Sequence, residues 1–117
     1  MAILSFAWTK DEFLSGKKTV SRRCWKERQL KMWQRLWDSG RLVHEAWDKA
    51  PFAGGKRIGK FKLTARPYQE RLGDMPESDL IAEGGMCRTL EEFYKLLGKT
   101  PEEIVSVIRF EKLQGET

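Results

Sequence analysis

Histidine, cysteine and proline are all scarce in this sequence. It has one histidine, two cysteines and four prolines among 117 residues. Cys24 and Cys87 lie far apart, and no group of cysteines and histidines has the spacing of zinc ligands. We therefore expect reduced, partly buried thiols, no disulfide, no bound metal and a cytoplasmic protein. Nothing in the composition calls for a cofactor.

Long apolar runs are also absent. Because the longest apolar stretches are too short to cross a bilayer, we predict no transmembrane helix and no membrane partner. The segment from Met1 to Phe6 lacks the basic residues that open a signal peptide, and residues 3–8 are typical of a buried strand. The length, with 40% apolar and 33% charged residues, predicts a single globular domain over residues 1–117.

The charge of the chain is positive and unevenly distributed. The net charge is +5 and the isoelectric point is about 9.4. Basic residues far outnumber acidic ones between Lys10 and Arg35, whereas the segment from Asp74 to Glu92 is acidic. A basic half of this kind favours a polyanionic partner such as nucleic acid.

Four cations fall within seven residues at positions 17–23, Lys-Lys-Thr-Val-Ser-Arg-Arg. A short helix is predicted just before them at residues 9–16, with Thr9 as its N-cap, and a strand opens at residue 19. Alternation places Ser21 and Arg23 on one strand face and Lys18 on the other, although a bend at the strand start would let Lys18 and Ser21 converge. This corner predicts a ligand that is anionic or rich in hydrogen-bond acceptors. The alternative is a solvated basic turn.

Tryptophans and basic residues alternate in the next segment, a helix predicted over residues 25–39. Trp33 and Trp37 have helical spacing with Leu30, which favours a place in the core. Trp25, like Trp8 earlier in the chain, is a candidate for stacking on a nucleic-acid base. His44 lies on a strand predicted over residues 41–47, where a lone histidine is more often structural than catalytic.

The remaining segments complete a mixed fold. A loop at 48–55 precedes a strand at 57–64, which ends near residues 66–68. Short helices follow at 76–82 and 90–97, and the last strand covers 105–111. Five or six strands with interspersed short helices predict an α+β domain around a small, mostly antiparallel β-barrel.

Four segments, taken together and in order, resemble the ASCH domain family. They are residues 14–23, 51–59, 79–85 and 107–111. The resemblance implies a PUA-like β-barrel with a cleft beside it. It also implies a role around RNA or modified nucleosides.

One branch of that family consists of small amidohydrolases that act on N4-acetylcytidine. Their catalytic lysine, threonine and glutamate correspond by motif position to Lys18, Ser21 and Glu83 here. Serine keeps the hydroxyl of threonine. The segment 25–39 departs from this compact branch.

The resemblance leads to a chemical hypothesis. Ser21 attacks the acetyl carbon or positions a water that does, Lys18 acts as the base, and Glu83 orients Lys18 or shuttles the proton. Arg23, or a backbone N–H near Gly84 and Gly85, would hold the oxyanion.

Three other interpretations stay open. A non-catalytic RNA-binding module would use Lys17, Lys18, Arg22, Arg23, Lys26 and Arg28 on phosphates, with Trp8 or Trp25 on a base. A ribonuclease would combine His44 with Lys18 and Arg23. In the third, Lys18 and Glu83 form only a salt bridge that pins the corner to the later loop.

Overall fold

A computed structural model describes residues 1–114, and over this range the chain forms an α+β structure. The elements are β1 (Ile3–Ser5), α1 (Lys10–Leu14), β2 (Val20–Arg23), α2 (Glu27–Asp38), β3 (Val43–Trp47), β4 (Arg57–Leu63), β5 (Tyr68–Arg71), α3 (Asp79–Ala82), α4 (Leu90–Leu97) and β6 (Ile104–Lys112). Two short 3-10 helices, Pro51–Ala53 and Leu72–Asp74, lie in the connections. The predicted α+β class is confirmed.

The strands form one sheet in the order β1-β3-β4-β6-β2, with β5 also paired to β6. Only β1 and β3 run parallel among these pairs, so the prediction of mostly antiparallel pairing is confirmed. The sheet is open, because β1 and β2 are end strands and no backbone pairing joins them within residues 1–114. Closure into a barrel therefore stays a prediction.

Strand β6 connects the two ends of the sheet. It pairs with β4 near its C-terminal end, with β5 near its N-terminal end, and with β2 along its other edge. The residues from Val105 to Ile108 are all buried, as expected for a strand that is covered on both faces. Its register with β2 sets Ser21 opposite Ile108 and Val20 opposite Arg109.

The main core is aromatic. Phe6 and Phe13 stack with their ring centroids 4.8 Å apart, and Phe61 and Phe110 pack against them. Trp33 stacks on Phe61 at 6.3 Å, which attaches α2 to the sheet and agrees with its predicted place in the core. A second, smaller cluster lies under α4 and consists of Leu72, Met75, Leu80, Phe93 and Val105.

His44 is part of this core. Its ring meets Trp33 edge-on, with the centroids 4.9 Å apart. One ring nitrogen accepts a hydrogen bond from the backbone N–H of Ala2, and the other lies 2.8 Å from the carbonyl oxygen of Arg41. Both nitrogens are therefore engaged by backbone, and burial lowers the pKa of the imidazole. The histidine has a structural role.

Several predicted boundaries were wrong. The predicted first strand, residues 3–8, ends at Ser5 because the chain then turns away from the sheet. Strand β5 was not predicted, because Pro67 indicated the end of a strand. Pro67 lacks a backbone N–H, and pairing with β6 starts at the next residue. Thr9 forms no side-chain cap on α1, whereas Thr89 caps α4 by accepting from the N–H of Glu92.

The composition predicted the absence of three features: a disulfide, a transmembrane helix and a metal site. Cys24 and Cys87 are both free thiols, but Cys24 is exposed rather than partly buried. Within residues 1–114 no helix is long and apolar enough to cross a membrane. A search of the same residues finds no group of three histidine, cysteine or carboxylate side chains arranged to hold a metal ion.

Candidate ligand-binding cleft

A cleft of about 290 Å³ opens between the ends of the two end strands, β1 and β2. The structure brings Lys18, Ser21 and Glu83 together in its lining. The other lining residues are Ser5, Phe6, Ala7, Trp8, Thr9, Arg22, Arg23, Met86, Phe93, Leu96 and Leu97. One wall is therefore polar and the other is largely apolar.

The corner that carries Lys18 is held by backbone hydrogen bonds on both sides. Gly16 takes a positive φ of 80°, which turns the chain after α1. The N–H of Lys18 then donates to the carbonyl of Glu12, and the N–H of Thr19 donates to that of Ala82. Because the corner is tied to both α1 and α3, the Lys18 side chain points inward and is only 3% exposed.

The amine of Lys18 is bound by a single residue. Its Nζ donates to the carbonyl oxygen of Glu83 at 2.6 Å and to the Oε1 of the same residue at 3.1 Å. Burial lowers the pKa of Lys18, and although the Glu83 carboxylate opposes this, the nearby Arg23 and Arg22 add to it. The amine therefore loses its proton more readily than an ordinary lysine, as a proton acceptor requires.

Arg22 holds the same glutamate from the other side. Its Nη1 donates to Glu83 Oε2 at 3.0 Å, while Nη2 donates to Asp79 at 2.6 Å and to Glu70 at 2.9 Å. The Arg22 side chain is 0% exposed. Because three carboxylates already occupy its guanidinium group, Arg22 orients Glu83. Its predicted role in ligand binding stays a prediction.

A further pair extends this network to β6. Arg109 donates to both carboxylate oxygens of Asp79, at 3.1 and 2.7 Å, and its Nε donates to the Tyr68 hydroxyl. Burial would raise the pKa of Asp79, but the hydrogen bonds from Arg109 and Arg22 outweigh it and hold the pKa below its ordinary value. The same hydrogen bond to Asp79 raises the pKa of Arg109.

Sequence reasoning assigned no role to Asp79, Arg109 or Glu70. Asp79 and Arg109 lie inside two of the segments that resemble the ASCH family, which is the one signal that points to them. Glu70 lies on β5, the strand that was not predicted. Sheet pairing joins the strands that carry Glu70, Arg109 and Arg22, whereas Asp79 comes from α3, so the group assembles only in the folded chain.

Ser21 and Arg23 form a second polar pair in the cleft. The Nε of Arg23 donates to Ser21 Oγ at 2.8 Å, and its Nη2 donates to the carbonyl of Ser5 at 2.7 Å. Arg23 therefore bridges the two end strands, with its guanidinium over the Phe6 ring. Among the described residues, no hydrogen bond joins Ser21 Oγ directly to Lys18 Nζ, so a proton passing between them needs an intermediary such as water.

The charges at the cleft are nearly balanced. Three cations, Lys18, Arg22 and Arg109, form ion pairs with three carboxylates, those of Glu70, Asp79 and Glu83, while a fourth, Arg23, forms none among the described residues. One positive charge is left over. The cleft therefore suits a neutral or singly charged ligand better than a polyphosphate, and the anionic or acceptor-rich ligand of this corner stays a prediction.

Three other predicted residues lie at or beyond the edge of the cleft. Trp8 is at the rim and 75% exposed, so its ring is available to a ligand. Lys17 is exposed and lies against Gly85, outside the lining. Trp25 stacks on Trp33 with centroids 5.6 Å apart and also lies outside the lining, because α2 draws it to the core.

The apolar wall of the cleft was missed by sequence reasoning. Met86 and Leu96 remain exposed there. Large apolar side chains on a surface often mark a ligand site. Sequence reasoning predicted only that residues 90–97 form a helix, and it assigned no ligand-facing position to them. Their proximity to Trp8 follows from the fold.

Comparison with known proteins finds no relative of this chain. No family model matches the sequence, and no match is found among curated proteins or solved structures. The proposed function therefore rests on the contacts and charges of the cleft.

Proposed function

We propose that this chain is an ASCH-type, PUA-like protein whose cleft binds a modified nucleoside and hydrolyses the exocyclic amide of N4-acetylcytidine. The observation that carries the proposal is the buried amine of Lys18, which Glu83 holds beside Ser21 in one cleft. The volume of about 290 Å³ is at the lower end for small-ligand pockets, which begin at roughly 300 Å³. It suits a base or nucleoside rather than a folded RNA.

The first step is the attack of water. Neutral Lys18 takes a proton from a water molecule that hydrogen-bonds to Ser21, and the water oxygen bonds to the acetyl carbon of the substrate. The carbonyl oxygen becomes an oxyanion, and Arg23 supplies the nearest positive charge that has no carboxylate partner. We prefer water to Ser21 as the nucleophile because Lys18 makes no direct contact with the hydroxyl.

The second step breaks the amide bond. The oxyanion collapses, the bond from the acetyl carbon to N4 breaks, and protonated Lys18 returns its proton to N4. Cytidine and acetic acid leave, the acid ionises to acetate by releasing its proton to solvent, and Lys18 is again neutral. Glu83 keeps the amine in place throughout, because it is itself fixed by Arg22.

The apolar wall and the charge balance favour a neutral ligand. A pyrimidine ring can lie on the exposed face of Trp8, while Met86 and Leu96 can contact the methyl group of the acetyl substituent. The RNA-binding alternative, with phosphates in this cleft, is less favourable because only one positive charge is uncompensated. The ribonuclease alternative has no support, since His44 is buried in the core and lies outside the cleft lining.

The test is a chromatographic assay of the purified chain with N4-acetylcytidine. We expect release of cytidine and acetate, and a rate that changes little between about 50 and about 200 mM salt, because the substrate is uncharged. Glu83→Ala should release far less cytidine than the unaltered chain. If the unaltered chain releases none, the amidohydrolase proposal is wrong.

We predict that kcat/KM rises with pH. Lys18 acts as a base only when neutral, and its pKa is below the ordinary value of 10.5, so the rate should reach its plateau below that pH. The measurement is a profile from about pH 6 to about pH 10. Because Glu83 stabilises the ammonium form, Glu83→Gln should move the profile to lower pH. A profile that is flat, or that falls across this range, would contradict the role of Lys18.

A further inference from the structure

The outer face of α2 carries a row of cations. Leu30 and Trp33 point into the protein and are buried. Arg28, Lys31 and Arg35 are spaced by three and four residues, which places them on the opposite, solvent-exposed face. They extend along about 10 Å of the helix axis, since each residue advances about 1.5 Å.

These cations are far less compensated than those of the cleft. Residues 26–35 hold four cations and one carboxylate, a large part of the net charge of +5. Among the described residues, Arg28 and Arg35 form no salt bridge. Lys31 pairs with Glu27 at 3.1 Å, but both side chains are more than half exposed and such a pair contributes little.

We propose that this face of α2 binds the phosphodiester backbone of RNA. Rows of lysine and arginine bind nucleic acids by neutralising successive phosphates and releasing their counterions. The cleft, with its balanced charges, has no such capacity. The two surfaces therefore have different roles. Helix α2 binds the RNA strand without sequence specificity, and the cleft binds a single nucleoside.

The composition of the face argues against other polyanionic partners. Helices that bind membranes insert tryptophan, phenylalanine or leucine, whereas the tryptophans and leucines of α2 face inward. Met32 is the one large apolar side chain exposed on its outer face. A protein partner would also need aromatic or apolar anchors. The choice of RNA over DNA rests on the proposed function.

The experiment measures binding of the full chain to a fluorescent single-stranded RNA of mixed sequence. The probe is titrated with up to about 100 µM protein at several salt concentrations. The test variant is Arg28→Glu/Arg35→Glu. Its matched control is Lys49→Glu/Lys56→Glu, which makes the same change in net charge at exposed sites of the loop after β3, at the other end of that strand from α2.

We expect the test variant to bind at least about 10-fold more weakly at low salt, and the slope of log affinity against log salt to fall by about 1.4 for two lost phosphate contacts. The control variant should lose much less. Equal losses in both variants would overturn the assignment to α2. Tighter binding to DNA of the same sequence would overturn the choice of RNA, and tighter binding to anionic vesicles would overturn both.

This test is independent of catalysis. Lys18→Met should bind the RNA probe as the unaltered chain does, because Lys18 is buried in the cleft. Loss of RNA binding in Lys18→Met would contradict the separation of the two surfaces. Conversely, RNA binding through α2 without release of cytidine would support this inference and refute the proposed hydrolysis.

Discussion

Replacing Lys18 with methionine is expected to lower kcat/KM for N4-acetylcytidine by about 10³-fold, within the range of about 10²–10⁴ that a positioned acid or base contributes. Methionine fills the same buried space but has no proton to exchange. Glu83 keeps its hydrogen bond from Arg22, so its carboxylate is not left without a partner. The measurement is steady-state release of cytidine, with circular dichroism to confirm that the variant folds.

The neighbouring lysine provides the control. Lys17 is exposed and lies outside the cleft lining, so Lys17→Met should retain nearly full activity. Both substitutions remove one amine, and they differ in whether that amine faces the cleft. Equal activity in the two variants would remove Lys18 from the mechanism. An equal loss in both would show that net charge at the corner, rather than a base, determines the rate.

The second large effect concerns stability. Asp79→Asn is expected to lower the free energy of unfolding by about 3–5 kcal/mol, the usual cost of removing one partner from a buried ion pair. Asp79 is buried and accepts from both Arg22 and Arg109. The amide cannot neutralise two guanidinium groups, and the side chain of Arg22 has no access to solvent. Urea denaturation measures the change, and the melting temperature should fall by more than about 10 °C.

An exposed ion pair in the same chain calibrates this prediction. Asp38 forms two hydrogen bonds with Arg66, but both side chains are about half exposed. Asp38→Asn should therefore change stability far less than Asp79→Asn does, because solvent screens an exposed pair. If Asp79→Asn costs no more than Asp38→Asn, the buried network does not stabilise the fold.

The effect of Asp79 should also depend on pH. Its folded pKa is lower than the unfolded value of 3.8, so the ionised form stabilises the folded state. That contribution is fully present above the unfolded pKa and is lost as the pH falls through the folded pKa. The difference in stability between the unaltered chain and Asp79→Asn should therefore shrink below about pH 4. A difference that stays constant with acidification would argue for a packing effect instead.

The elements that sequence reasoning predicted well are those with strong local signals. Helix α4 begins at a threonine cap and ends at Gly98 in the left-handed conformation, as its capping pattern predicts. Strand β4 follows from the alternation of apolar and polar residues, and the core position of Trp33 follows from its helical spacing with Leu30. Strand β5 was missed because it is short, polar and preceded by proline, so its only stabilising partner is β6, more than thirty residues later.

The candidate site also has some features with a local sequence signal and others without one. The corner at residues 16–23 has its own signature of glycine, cations and a hydroxyl, and the family resemblance adds Glu83 to Lys18 and Ser21. No local sequence signal indicates which of the cations is paired with carboxylates. Arg22 and Arg23 are adjacent in the sequence, yet Arg22 is enclosed by three carboxylates whereas Arg23 bridges two strands.

Local sequence patterns therefore determined the α+β class, most of the helices and strands, and the location of the basic corner at residues 16–23. The tertiary structure decided the rest: pairing with β6 joins the strands of Arg22, Glu70 and Arg109, and α3, held to the corner by the Thr19 N–H, adds Asp79. That arrangement balances the charge of the cleft and leaves α2 as a separate basic surface. The physical reason is that propensity acts over a few residues, whereas burial and ion pairing depend on partners that only the folded chain brings within reach.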